Sequence, residues 1–344
     1  MAMTPRERVL AALKKESLDR PPAAIFTQSA TIAQMDAVGA AWPEAHKDPA
    51  LMAKLAAAQA DHNGGECVRA AFCLTAETEA LGATVAVDKK DAAPMIKVHP
   101  LKFDAMGGEY DDPSKLISPE EMINSGRPKV VIESVEMLKK SHGENYAIIA
   151  GNTGAITLTG NMVNTENIIF GMLMAPDEVD KWIGIFEPYV RKYTEALWDA
   201  GADCVQCSEP TGSTDMLAPD MFDQFVGAHI GRALAPKADK YSILHICGNT
   251  EPILDHMVNT KVTGISIEEK VDPEVAVGKV GGKTVMVGNV GSVFPLYQGN
   301  PEDVKAAAIR SAKAGFNIIS SGCGIAPGTP DANYSAMIDA IKSL

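Results

Sequence analysis

The stretch SILHICGNTEPILDHMVNTKVTGISI, residues 242–267, contains one complete strand–helix–strand unit. The apolar run 242–246 lacks strict alternation, which is typical of a strand buried on both faces. Glu251 and Pro252 then open a helical segment, and a second short apolar run follows at 264–267. Because parallel strands need a crossover, usually a helix, this stretch predicts a parallel sheet covered by helices.

The same alternation extends along the chain. We predict strands at 23–26, 66–69, 146–150, 203–207, 242–246, 264–267, 285–287 and 317–320. Helices are predicted at 51–60, 175–200 and 219–237, and again after Asn300 and after Thr329. Eight strand–helix repeats favour an α/β fold of the closed (β/α)8 TIM barrel type. A doubly wound open sheet is the alternative, because one or two strands are easily miscounted from a sequence.

The chain is longer than such a barrel requires. A typical barrel takes about 250 residues, and this chain has 344. Part of the surplus is an N-terminal helical extension before the first strand. The rest is residues 74–129, which are polar and rich in turn formers, and which predict an insertion between strands 2 and 3 with a hairpin at 84–87 and 95–99. We therefore expect one barrel domain over residues 1–344, with this insertion.

Composition excludes several classes of protein. With 31 Lys+Arg against 44 Asp+Glu, the formal charge is −13, and nucleic-acid partners require clustered basic residues instead. The longest apolar stretch, 168–176, is about half of the roughly 18 residues that a membrane span needs. The first residues carry charges of both signs, unlike a secretory signal peptide. We expect a cytoplasmic protein whose six cysteines remain thiols.

His245 and Cys247 stand where a predicted strand ends. Residues i and i+2 of a strand point to the same face, so the imidazole and the thiol should face together. These two groups can bind one zinc ion. Barrel active sites also lie at the carboxyl ends of the strands. The pattern therefore predicts a metal site, although a core histidine and a small buried cysteine are the simpler alternative.

A second cysteine-bearing segment, SSGCGIAPGTP at 320–330, follows the eighth predicted strand. Glycines on both sides of Cys323 allow the main chain to bend toward the barrel axis. Cys323 is therefore the expected third ligand, and three protein ligands leave an open position, as in catalytic zinc sites. Glu268, at the end of the sixth strand, is preferred over Glu269 as the carboxylate that fills this position, both as a metal ligand and as a catalytic group.

Other residues carry less specific signals. Asn152 and Glu209 follow the third and fourth strands, where they predict either substrate contacts or loop caps. Gly324 belongs to a glycine-containing loop, 322–328, whose amides are candidates for binding an anionic substrate group. Cys204 and Cys207 are three apart in a strand and should face opposite ways, which indicates core packing rather than a metal pair.

Several motifs resemble a known family. DRPP at 19–22, LHICGN at 244–249 and GCGIAPGTP at 322–330 are similar to the uroporphyrinogen decarboxylase superfamily. MDAVGAAWPEAH at 35–46 and LMAKL at 51–55 resemble its branch of methylcobamide:coenzyme M methyltransferases from methanogenic archaea. The resemblance implies a (β/α)8 barrel, a zinc cofactor, and methyl transfer from a methylated corrinoid to the thiol of coenzyme M. It also implies a role in methanogenesis from methylated one-carbon compounds.

The same resemblance assigns roles to residues and implies partners. His245, Cys247 and Cys323 match the family's zinc ligands, and Glu268 matches a displaceable carboxylate. The methyl donor would be a methylcobalamin-type corrinoid carried by a partner protein. The decarboxylases carry an arginine-containing run where this chain reads IFTQSA at 25–30. A decarboxylase-like enzyme, a transferase acting on another thiol such as homocysteine, and a non-catalytic zinc-binding or corrinoid-docking protein remain the alternatives.

Overall fold

A parallel sheet forms the centre of the computed structural model, which describes residues 3–344. With strands numbered in chain order, seven of them form one sheet in this spatial order: β1 (Cys67–Ala70), β6 (Ala147–Thr153), β7 (Cys204–Ser208), β8 (Tyr241–Ile246), β9 (Gly264–Ile267), β10 (Val285–Val290) and β11 (Ile318–Ser321). Every pair is parallel. These strands are buried along their length except at Tyr241, as their largely apolar sequences predict.

Residues 22–24 close the sheet. The amide of Ala24 donates to the carbonyl of Ile319 at 3.0 Å, and the amide of Ile319 donates to Pro22 at 2.9 Å. On the other side, the amide of Glu66 donates to the carbonyl of Ala23 at 2.9 Å. The predicted first strand therefore lies between β1 and β11 and completes a (β/α)8 barrel. The open-sheet alternative is wrong.

Helices surround the barrel. Their bounds are α1 (Pro5–Lys14), α2 (Ile32–Val38), α3 (Pro49–Asp61), α4 (Ala76–Ala80), α5 (Pro119–Ile123), α6 (Gly126–His142), α7 (Ala155–Val163), α8 (Thr165–Met174), α9 (Pro176–Asp199), α10 (Ala228–Ala233), α11 (Leu254–Asn259), α12 (Pro273–Val280), α13 (Pro301–Ala314) and α14 (Asp331–Lys342). Short helical turns lie at Glu44–His46, Pro113–Lys115, Pro210–Gly212, Pro219–Met221, Asp223–Gly227, Glu251–Ile253 and Ser292–Tyr297. No helix in the described range 3–344 has the length and apolar character of a membrane span.

One predicted helix is wrong in extent. The segment 219–237 is helical only as far as Ala233, and a 3-10 turn at Pro219–Met221 and a π-helical turn at Asp223–Gly227 lead directly into α10. Pro236 explains the early end, since it has no amide hydrogen to donate and disfavours a helical conformation at the residue before it.

The N-terminal helix closes one end of the barrel. Val9, Ala12 and Leu13 of α1 pack in one cluster with inward-facing residues at the starts of the strands, such as Cys67 and Cys204. Cys207, by contrast, belongs to the cluster between the strands and the outer helices. The prediction that Cys204 and Cys207 face opposite ways is thus confirmed. Because α1 blocks the amino ends of the strands, the opposite end, here called the mouth, is the one available to a substrate.

The segment between β1 and β6 carries two hairpins. β2 (Thr84–Ala86) pairs with β3 (Met95–Val98), and β4 (Phe103–Asp104) pairs with β5 (Glu109–Tyr110), both antiparallel. The first hairpin was predicted at 84–87 and 95–99, and that prediction is confirmed.

Candidate metal centre

Three of the predicted site residues meet at the mouth. His245 lies in β8, Cys247 follows that strand directly, and Cys323 lies in the loop after β11. The His245 Nε2 and Cys247 Sγ atoms are 3.2 Å apart, as are the two sulfur atoms, and the three donor atoms all lie within 4.8 Å of one another. His245 is buried, and both cysteines are half-buried free thiols. The structure therefore brings two distant stretches of chain to one point.

Two glycines allow this approach. Gly248 has a φ of +84°, and a Cβ there would collide with the side chains of Ser213 and Asp215. At Gly322 a Cβ would lie 2.8 Å from an Oε2 atom of Glu269 and 3.1 Å from the Cα of Glu268. The loop that carries Cys323 can therefore contact the loop after β9 only because residue 322 has no side chain.

Ser266 orients the imidazole. It lies on β9 directly opposite His245 in the strand register, and its Oγ is hydrogen-bonded to Nδ1 of His245 at 3.0 Å. In the tautomer that donates through Nδ1, the lone pair of Nε2 points toward the sulfur atoms. Metal-binding histidines are commonly oriented in this way. Sequence reasoning missed Ser266, although strand alternation places it on the same face as Glu268.

The two sulfur atoms share a hydrogen bond. Donation from Cys247 lowers the pKa of Cys323 to about 3, against the effect of burial. The same bond and burial raise the pKa of Cys247. Burial, followed by the charge of Cys323, raises the pKa of Glu268 to about 7. The charges of Glu268 and Cys323 act on each other, as the pKa of Glu268 shows, whereas the Glu269 side chain lies beside Gly291 and Gly322.

These residues fit a zinc ion. Two thiolates and a neutral imidazole carry a charge of about −2, which matches a divalent cation, and nitrogen–sulfur donor sets are typical of zinc. Nδ1 of His245 is already hydrogen-bonded, so Nε2 is the nitrogen left for a metal. Glu268, which follows β9, lies outside the group of three converging donor atoms, so its role as a fourth donor stays a prediction.

Asn152 and Glu209 are not brought to this centre. The Asn152 side chain is buried and donates to Thr194 Oγ1 of α9 at 2.8 Å, on the helix-facing side of β6. Glu209 is buried and accepts from the amide of Thr157 at 2.8 Å, at the start of α7, and burial raises its pKa to about 7. Their contacts hold helices in place, so of the two predicted alternatives the structure favours the structural one.

Gly324 does border a cavity beside the centre. The cavity has a volume of about 400 Å³ and is lined by Gln28, Ser29, Ala30, Trp42, Phe72, Cys73, Leu74, Thr75, Ala93, Pro94, Gly324, Ile325, Ala326 and Pro327. Two of the nearby loop amides are not free for an anion, because Gly322 donates to Val290 at 2.7 Å and Ile325 donates to Gln28 at 2.8 Å. A larger cleft of about 530 Å³ between β4 and α8 includes none of the centre's residues.

The family follows from comparison with known sequences. The family model described as "Uroporphyrinogen decarboxylase (URO-D)" matches residues 4–344. This chain belongs to the uroporphyrinogen decarboxylase family. The matched range includes the barrel strands and both chain segments of the candidate metal centre.

Within the uroporphyrinogen decarboxylase family, the similar full-length relatives are methyltransferases. The chain is 32% identical over 339 residues to a methylcobamide:CoM methyltransferase MtaA of Methanosarcina barkeri, covering 98% of this chain and 97% of the relative. It is 33% identical over 343 residues to an MtbA of Methanosarcina acetivorans, covering 99% and 98%. A solved methyltransferase from Methanosarcina mazei superposes with a TM-score of 0.92 at 33% identity over 99% of both chains. The chain is thus an enzyme of the methyltransferase branch.

Proposed function

We propose that this enzyme transfers a methyl group from a protein-bound methylcobamide to the thiol of coenzyme M, in methanogenesis from methylated one-carbon compounds. The observation that carries the proposal is the convergence of one imidazole nitrogen and two cysteine sulfurs within 4.8 Å at the mouth. The activity after which the MtaA and MtbA relatives are named, methyl transfer from methylcobamide to CoM, supports it. The chain's IFTQSA segment, without arginine, argues against decarboxylation of a porphyrinogen.

His245, Cys247 and Cys323 would hold a zinc ion, with Glu268 as the carboxylate that leaves when the acceptor arrives. Zinc in this donor set supplies Lewis acidity that keeps a coordinating thiol deprotonated at neutral pH. That matters because a free alkyl thiol has a pKa near 8.5 and only its thiolate is a good nucleophile.

The chain's own residues then position the acceptor. The hydrogen bond with Ser266 fixes the orientation of the His245 imidazole ring. The absence of a side chain at Gly322 lets the Cys323 loop pack against Glu268. The acceptor sulfur attacks the methyl carbon, the carbon–cobalt bond breaks, and its electron pair stays on cobalt. The barrel interior is filled with side chains, so a corrinoid can only lie across the mouth. A separate corrinoid protein is therefore the proposed partner.

Methyl transfer from free methylcobalamin tests this function without the partner. Purified protein should contain about one zinc per chain and should methylate coenzyme M faster than homocysteine or 2-mercaptoethanol. Cys323→Ser should lose both zinc and activity, whereas Cys207→Ala, which removes a buried thiol that packs toward the helices, should keep its zinc. Full activity in metal-free protein, or a preference for homocysteine, would refute the proposal.

A further inference from the structure

Cys73 is a third half-buried thiol near the mouth. It lies in the loop after β1, is half-buried, and lines the 400 Å³ cavity that Gly324 also borders. Gly324 follows Cys323 in the chain, so this cavity adjoins the candidate metal centre. The function proposed above does not use Cys73, and its surroundings differ from those of a cysteine that only fills space.

Cys73 is hydrogen-bonded to a cationic side chain, Arg127, which is also paired with Glu79. Nη1 of Arg127 donates to its sulfur at 2.9 Å, and the Thr75 hydroxyl donates at 3.5 Å. Burial opposes ionisation, but the Arg127 charge, with a smaller contribution from His46, lowers the pKa of Cys73 to about 5. The titratable groups that act on it from neighbouring elements are His46, Arg69, Glu77, Arg127 and Tyr193. Half-exposed cysteines in such settings are the reactive ones.

A separate observation indicates that the cavity takes a ligand. Trp42 lines it, is 4% exposed, and its Nε1 has no hydrogen-bond partner within the described chain. Nε2 of His46, whose ring lies 4.8 Å from that of Trp42, is buried and equally unpartnered. A buried polar group without a partner is costly and rare in native proteins. Because Trp42 belongs to the lining of the cavity, its unpartnered Nε1 donor points to an occupant with a hydrogen-bond acceptor.

We propose that Cys73 is a thiol–disulfide exchange site for small disulfides that enter this cavity. The Cys73 sulfur attacks one sulfur of a disulfide RS–SR, the S–S bond breaks, a Cys73–S–S–R bond forms, and RS⁻ leaves. Cys73 is oxidised and one half of the disulfide is reduced, so the step needs no other reagent. The R group then fills the cavity beside Gly324. If the function proposed above holds, this adduct blocks the acceptor thiol, and excess thiol reverses the block.

The direct test follows the adduct by mass. The zinc-loaded full chain is treated with 2-hydroxyethyl disulfide, and modified peptides are mapped over a range of pH. We expect one adduct, on Cys73, at a rate that stays nearly flat from pH 8 to pH 6. A thiol with a pKa near 8.5 would instead slow by about tenfold per pH unit in that range, because its thiolate fraction falls. Modification of another cysteine while Cys73 stays free, or the ordinary pH profile, would overturn the proposal.

Variants separate this proposal from the methyl-transfer function. Cys73→Ser and Cys73→Ala should form no adduct, and Arg127→Gln should slow exchange at pH 6 at least tenfold, with Arg127→Lys in between. Disulfide treatment should inactivate the wild type and leave Cys73→Ser insensitive. The mass readout does not depend on methyl transfer, so it stands even if that activity is absent. An unchanged rate in Arg127→Gln contradicts the electrostatic argument, and full activity of completely modified wild type contradicts the blocking step.

Discussion

Removing the hydroxyl of Ser266 should weaken metal binding without touching a ligand. In Ser266→Ala the hydrogen bond to His245 Nδ1, 3.0 Å long and buried, is lost. A net hydrogen bond is worth about 1 kcal/mol, and a buried partner left unsatisfied costs about 1–3 kcal/mol. This corresponds to the 10- to 100-fold loss of metal affinity that is typical when such a supporting contact is removed. We therefore expect zinc to bind Ser266→Ala about 10- to 100-fold more weakly than the wild type.

The assay is competition with a chromophoric zinc chelator at pH 7, read as the chelator concentration that removes half of the metal. Ser242→Ala is the matched control, because Ser242 is a buried serine on the same strand as His245 whose hydroxyl donates to the carbonyl of Leu234 at 2.9 Å. That variant should lose some stability and keep its zinc affinity. A zinc affinity of Ser266→Ala within twofold of the wild type, or an equal loss in Ser242→Ala, would refute the reasoning.

Three further predictions concern the loops and the closed end of the barrel. Gly322→Ala should reduce zinc affinity at least tenfold, because the added Cβ would press on the backbone at Glu268. In the same titration the control Gly278→Ala should bind zinc normally, because a Cβ there meets no atom within 4 Å. Arg8→Met removes a buried ion pair with Glu66 and a partly exposed one with Asp19. It should lower the free energy of unfolding by about 3 kcal/mol in urea, and a loss under 1 kcal/mol would contradict this. The hydrogen bond from Arg8 holds the pKa of Asp19 well below its ordinary value. The ionised Asp19 carboxylate therefore stabilises the fold above about pH 4. The stability gap between wild type and Asp19→Asn should therefore shrink as the pH falls below 4, and a gap that is constant with pH would show that the ion pair contributes nothing.

Most of the barrel was predictable because its strands are short apolar runs separated by recognisable helix starts. The start of α3 is an example, where the Asp48 side chain accepts from the amide of Leu51 and Pro49 occupies the first position. The segment 23–26 was found by the same pattern, although its role as the closing strand depends on hydrogen bonds to two distant strands. The helix predicted at 219–237 ends early, at Ala233, because the pattern was extended past Pro236, whose local effect is stronger.

The candidate centre was predictable only where chemistry and strand alternation coincide. His245 and Cys247 share a face because they are two apart, and the glycines around Cys323 indicated a bend. Strand alternation also predicts that the Asn152 side chain faces the outer helices. It lies on the same face of β6 as Ile148 and Ala150, which pack in the cluster between the strands and the helices.

Contacts between distant segments gave no sequence signal. Ser266 becomes relevant only when β8 and β9 are aligned, and Cys73 meets Arg127 across 54 positions of the chain. Neither spacing forms a motif, because the pairing depends on the three-dimensional arrangement of elements rather than on a local pattern.

X-ray absorption at the zinc edge tests the central claim most directly. The account predicts one nitrogen and two sulfur ligands from the protein, the sulfurs at about 2.3 Å, with an oxygen ligand in the remaining position. After coenzyme M is added, the oxygen should be replaced and a third sulfur should appear at the same distance. An unchanged sulfur count in the presence of saturating coenzyme M, or a metal without two sulfur ligands in the resting enzyme, would contradict it.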